Sequence, residues 1–283
     1  MSPDLAAALQ AWDLDHAVLL VLPIAALLYV RGWRRLHAET PGRYPVWRLT
    51  SFVGGLAALF LAIASPLDAY GGALLLVHMT QHLLLMMVAP PLIWLGQPVL
   101  PLVRSLPPRQ AKRVLGPLLT SSPLRRLGRR LVHPVTGWIA LLLAMVVWHL
   151  PPLYELALAS EGWHDVQHAC FFNAALLFWW PVVGVWPARP DWPRWMMIPY
   201  LLSADIVNTA VSAVFSFSRH VIYPSYEAAP RLFGLSALDD QSIAGAIMWV
   251  PGSIAFLLPA LVLTVRLVEN PRLRSSKVAA RSS

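Results

Sequence analysis

Between Asp68 and Arg104 the chain runs for 35 residues without an Asp, Glu, Lys or Arg. A hydrocarbon core of about 30 Å needs roughly 20 apolar residues in a helix, so this stretch can span a membrane, although Pro90 and Pro91 should kink or end it. In lipid every backbone N–H and C=O must find its partner within the segment, and a helix does that alone. The rest of the chain conforms. Of its 283 residues 57% are hydrophobic and 13% charged, against about 25% charged in soluble domains. It reads as an all-α, polytopic membrane helical bundle.

Seven windows qualify as transmembrane helices, roughly 16–33, 49–66, 73–95, 135–153, 165–186, 195–217 and 243–265. The first is the weakest, with fifteen residues between Asp15 and Arg31. The basic residues test the count, because Lys and Arg accumulate on the cytoplasmic side of inserted proteins. With the N-terminus outside and the C-terminus cytoplasmic, 20 of the 22 Lys and Arg fall inside, leaving only Arg219 and Arg231 outside. Most acids, among them Asp68, Glu155, Asp165 and Asp240, fall outside. One helix more or fewer would scramble that division.

The opening MSPDLAAALQAWDLDH has no Lys or Arg and so lacks the basic region of a secretory signal. The first span is expected to be retained. Residues 1–268 form one transmembrane domain and 269–283 a short basic cytoplasmic tail. The inner loop at about 96–134 mixes bases with leucines in RQAKRVLGPLL and LRRLGRRL, a pattern suited to amphipathic helices lying on anionic membrane lipid. Positive-inside sorting accounts for the net charge of +8, so no nucleic-acid partner is read from it.

Two histidine pairs share one spacing: His78 and His82 in HMTQH, His164 and His168 in HDVQH, each at the start of a long apolar run. Four residues make about one helical turn, so each pair faces one way. Ionisable or ligating groups at membrane depth are costly and usually mark sites. His149 stands near the outer end of the fourth window, before Pro151 and Pro152. With His16 and His220, seven of nine histidines lie on the outer side, while His37 and His133 belong to inner loops. His16 and His220 read as surface residues.

Met86 continues the His78 and His82 stripe one turn deeper, whereas Cys170 is about 200° around the helix from His168 and points elsewhere. In the last window Gln241 and Met248 share a face, with Asp240 at its mouth. Imidazole with thioether suits copper, Cu(I) above all; zinc ranks second. The five histidines His78, His82, His149, His164 and His168 form the expected metal site. Met86, Met248, Asp240, Gln241 and Asp205 stand as additional ligands or supporting groups, although methionine is also ordinary filling in an apolar bundle. Asp205, inside YLLSADIVNTAVS, is either a structural polar clasp or a group orienting the site.

Enzyme signatures are absent: no phosphate loop, no nucleophile elbow, and one cysteine, too few for a CxxC pair. The segments HMTQHLLLMMVAPPLIWLGQP, WHLPPLYELAL, HDVQHACFF and DDQSIAGAIMWVPG, in that order over residues 15 to 268, resemble the CtaG-like assembly factors of caa(3)-type cytochrome c oxidase. The resemblance implies a multi-pass protein of the bacterial inner membrane that helps copper reach the oxidase subunits. It points to the same five histidines and to Asp240, Gln241, Met248 and Trp249. A haem-binding membrane redox protein and a copper transporter are the alternatives, and a homo-oligomer stays open.

Overall fold

The computed structural model describes residues 10–12, 18–107, 109–113, 121–186 and 192–269. His16, Arg189, the tail from 270 onward and parts of the 96–134 loop lie outside the described residues. Among the described residues the secondary structure is helical throughout: α1 (Val18–Glu39), α2 (Val46–Ala64), α3 (Pro66–Gly71), α4 (Leu75–Leu83), α5 (Ala89–Leu95), α6 (Val99–Ser105), α7 (Ser122–Leu131), α8 (Pro134–Trp148), α9 (Pro151–Ala159), α10 (Glu161–Val183), α11 (Met197–Phe217), α12 (Pro224–Ala228) and α13 (Ala237–Glu269).

Among the described residues five helices are long and apolar enough to cross a membrane: Val46–Ala64, Leu75–Leu95, Glu161–Val183, Arg194–Phe217 and Ala237–Glu269. A sixth arises if α7 and α8, bent by 56°, make one span. These match six of the seven expected windows, with α8 the exception in length. Its 15 residues rise only about 22 Å, because Pro151 opens a separate helix at its first position instead of extending α8. The remaining window, 16–33, begins outside the described residues, and α1 carries Arg31, Arg34 and Arg35 in its second half.

The exterior is greasy and the interior holds the polar groups. Leu20, Leu27, Ile206, Val214, Leu258 and Leu261 are exposed, while His78, Gln81, Gln167, Asn208 and Asp240 are buried. An apolar skin this extensive is stable in lipid, not in water. Close approach of helices depends on small residues. A Cβ on Gly137 in α8 would sit 2.5 Å from the Leu177 carbonyl of α10, and one on Gly252 in α13 would sit 2.8 Å from Asn208 Nδ2 of α11. That approach lets Asn208 donate to the Met248 carbonyl at 3.2 Å.

The span that opens with HMTQH is not one regular helix. After α4, Leu84–Val88 winds as a single π turn before α5 begins. Pro90 and Pro91 cannot donate, so carbonyls one turn back lose their partners. The Met86 carbonyl accepts instead from Trp179 Nε1 of α10 at 2.9 Å, and Trp94 Nε1 donates to the Leu176 carbonyl at 2.8 Å. These indole bonds fasten the broken span to α10. The described part of the 96–134 loop holds α6 and α7; α7 buries no residue and carries Arg125, Arg126, Arg129 and Arg130 beside exposed Leu124, Leu127 and Leu131.

Candidate metal centre

Three long helices begin at one end of the bundle, and their first turns converge. Leu74, ahead of α4, has no side chain to cap the helix, and Asp240 of α13 does so instead: its carboxylate accepts from the backbone N–H groups of Leu75 at 2.7 Å and Leu76 at 2.9 Å. A carboxylate at a helix N-terminus satisfies orphan donors and the dipole together. It sets the depth of α4 against α13, and hence of His78 and His82.

The histidine pairs come together. His78 and His82 lie with Nε2 atoms 2.9 Å apart, and the rings of His164 and His168 are centred 4.0 Å apart. Across the helices His78 stands 5.2 Å from His164, and His82 stands 5.5 Å from His168 and 6.1 Å from His149. Two overlapping triads result. Donor nitrogens of His78, His82 and His168 lie within 4.8 Å of one another, and so do donors of Asp68, His164 and His168. Nitrogen ligands about 2.0–2.1 Å from a tetrahedral metal stand about 3.3 Å apart, so modest side-chain rotation closes either set. His168 belongs to both. The first triad is buried, while Asp68 and His164 are half-buried at the mouth.

The polar atoms in this region show what the site lacks. Among the described residues eight buried side-chain nitrogen or oxygen atoms have no hydrogen-bond partner, and six of them are Gln81 Oε1, His82 Nδ1, His149 Nε2, both amide atoms of Gln167, and His168 Nε2. Buried polar groups are normally paired, so their concentration here marks a place built for something that binds imidazole. His149 Nδ1 donates to the Met145 carbonyl at 2.5 Å. In a neutral ring that leaves Nε2 as the lone-pair nitrogen.

A second layer holds the histidines. The Tyr226 hydroxyl lies 3.2 Å from His78 Nδ1, 3.1 Å from the Tyr154 hydroxyl, and donates to the Gly71 carbonyl at 2.7 Å. Tyr223 donates to the His149 carbonyl at 2.9 Å and stacks on Tyr154. Gln81 Nε2 donates to Asp68 Oδ1 at 2.6 Å, linking the mouth carboxylate to α4. The hydroxyl of Ser225, next to Tyr226, is hydrogen-bonded to Glu155.

The remaining expected residues fall elsewhere. Asp240 caps a helix, and Gln241 clamps the loop before α12 by accepting from the Ile222 N–H at 2.7 Å. Asp205, half-buried, accepts from Ser253 Oγ at 2.7 Å. Trp249 meets Phe217 edge-on. Cys170 is exposed. Met86 and Met248 line a cavity just below the cluster, with His82 and His149 in its wall.

Asp68, Gln81, Gln167, Tyr154 and Tyr226 were not legible as site residues, yet three of them had a signal. HMTQH and HDVQH share a glutamine immediately before the second histidine, a coincidence beyond the spacing. Asp68 is the last charge before the long uncharged run. The tyrosines come from separate segments with no marker.

Fold and site thus define a class: a helical membrane protein with a polar, histidine-rich centre where three helices begin. The cytochrome c oxidase caa3 assembly factor family matches residues 27–270, and the chain belongs to that family. It is 27% identical to an uncharacterized protein of Mycobacterium bovis over 286 residues and 26% identical to one of Mycobacterium leprae over 282. Each match covers 99% of this chain and 42% of the relative, so the chain spans about two fifths of their length. No solved structure matches it.

Proposed function

We propose that the protein is a seven-span protein of the bacterial inner membrane, N-terminus outside, that receives copper at the outer histidine cluster and hands it to the apo-oxidase. It acts as a metal chaperone and not as an enzyme. The observation that carries this reading is the meeting of two histidine pairs from α4 and α10 around imidazole nitrogens that are buried and unpartnered. Imidazole ligands at a half-buried mouth admit a cation from the outer compartment, and His168, common to both triads, moves it from the mouth into the buried set. The division of basic residues supports the orientation. The amphipathic α7, with arginines beside leucines, suits the lipid surface on the inner side. The cavity beside the cluster, about 20 Å³, has no room for a macrocycle, which disfavours haem.

Copper and zinc content of the purified protein tests the reading. The wild type should carry copper, and His78→Ala/His82→Ala and His164→Ala/His168→Ala should each lose it. If all three proteins carry the same metal, there is no shared site. Full oxidase activity in cells carrying those variants would separately remove the assembly role.

A further inference from the structure

Below the histidine cluster lies a cavity of about 20 Å³ lined by Met79, Met86, Met87, Met145 and Met248, with His82, His149, Leu83 and Asn208 completing the wall. Five of the chain's eight methionines gather here, contributed by three spans. Methionine fills gaps in many cores, and that alone would explain one or two. What distinguishes this cavity is its pair of imidazoles. His82 and His149 are buried, and each has one nitrogen without a partner, Nδ1 in His82 and Nε2 in His149. Because His149 Nδ1 is bound to the Met145 carbonyl, its Nε2 carries a lone pair. A volume of that size holds about one water or one bare ion and nothing larger. The donors therefore grade along the bundle: a carboxylate and imidazole at the half-buried mouth, imidazoles alone in the buried triad, then thioethers with two imidazole nitrogens.

We propose that the methionine cavity is a second, inner metal site selective for a soft monovalent cation, Cu(I), which reaches it from the imidazole cluster through His82, the residue common to both. Thioether sulfur binds Cu(I) well, and neither Cu(II) nor Zn(II) competes for it on equal terms. The ion enters and leaves as Cu(I), so the exchange swaps imidazole for thioether ligands and needs no electron. The order of sites rests on the proposed copper-receiving role; the existence of the inner site does not.

Silver(I), a soft cation that does not change oxidation state, is the probe, added to the full chain in detergent micelles. Selenomethionine-labelled wild type saturated with silver should show a selenium–silver neighbour at the selenium absorption edge, and the chain should bind about two silver ions, one per site. Met79→Leu/Met86→Leu/Met145→Leu/Met248→Leu, which changes core volume little, should bind about one fewer and leave the zinc affinity of the wild type unchanged. An absent selenium–silver neighbour in the saturated wild type overturns the proposal, and that measurement needs no variant to fold. A selenium–silver neighbour that persists in His78→Ala/His164→Ala confirms the inner site as separate. Should the histidine variants keep wild-type copper while the neighbour is seen, the receiving role fails and the inner site stands.

Discussion

Replacing Asp240 by Asn separates a helix cap from a metal ligand. The carboxylate accepts two backbone N–H groups of α4, at 2.7 and 2.9 Å, and is buried at 3% exposure. Asn keeps one acceptor oxygen and turns an amide N–H toward the other donor, leaving one buried N–H unpaired at a cost of about 1–3 kcal/mol. Losing the charge at the helix N-terminus adds about 0.3–1 kcal/mol. The metal-free protein should therefore lose about 1.5–4 kcal/mol, read as a lower SDS mole fraction at half-unfolding in mixed micelles, since α4 and α13 are no longer pinned. Metal content should fall too, as His78 and His82 lose their depth relative to His168. A ligand would behave otherwise, lowering metal content while leaving metal-free stability alone. Metal-free Asp240→Asn unfolding within about 0.5 kcal/mol of wild type would refute the cap.

Tyr226→Phe removes the hydroxyl that meets His78 Nδ1 and Gly71; copper affinity should weaken about 10–100-fold, measured by competition with a chromophoric Cu(I) chelator. Trp179→Phe leaves the Met86 carbonyl without its indole donor and should cost about 1–2 kcal/mol in the same micelle unfolding. Adding Pro90→Ala should make the pair cheaper than the sum, because a backbone N–H returns to that turn; strict additivity would contradict the account. Asp205→Asn, bonded to Ser253, should leave copper content at the wild-type level, and elemental analysis showing a loss would return Asp205 to the site.

How much of this could be read from the chain depends on the range of the physics. Apolar length announced the helices, and the repeated spacing announced the pairs, because both are local. The expected 135–153 window overran α8 because Pro151 starts a new helix as readily as it ends one. Convergence of the pairs needed α4 packed on α13 and the rest of its span packed on α10, which no local pattern encodes. Asp240 stood as a ligand or a supporting group by its place at a mouth; its bond to a helix 165 residues away has no local sign. Tyr226 reaches His78 across 148 residues of sequence, and nothing in its own segment records that.

The π turn at Leu84–Val88 has a consequence for how this span tolerates change. A π turn holds one residue more than the α-helix it interrupts. Deleting any one of those five residues would let that turn wind back into an α-helical one. Five residues in a π turn cover about the rotation and rise that four cover in an α-helix, so the mouth, with His78 and His82, would keep its direction relative to the half that packs on α2 and α10. The chain would lose the wide turn and keep its aim. Loss of one residue between Leu84 and Val88 should therefore be tolerated far better than gain of one, which would turn the mouth by about 100°.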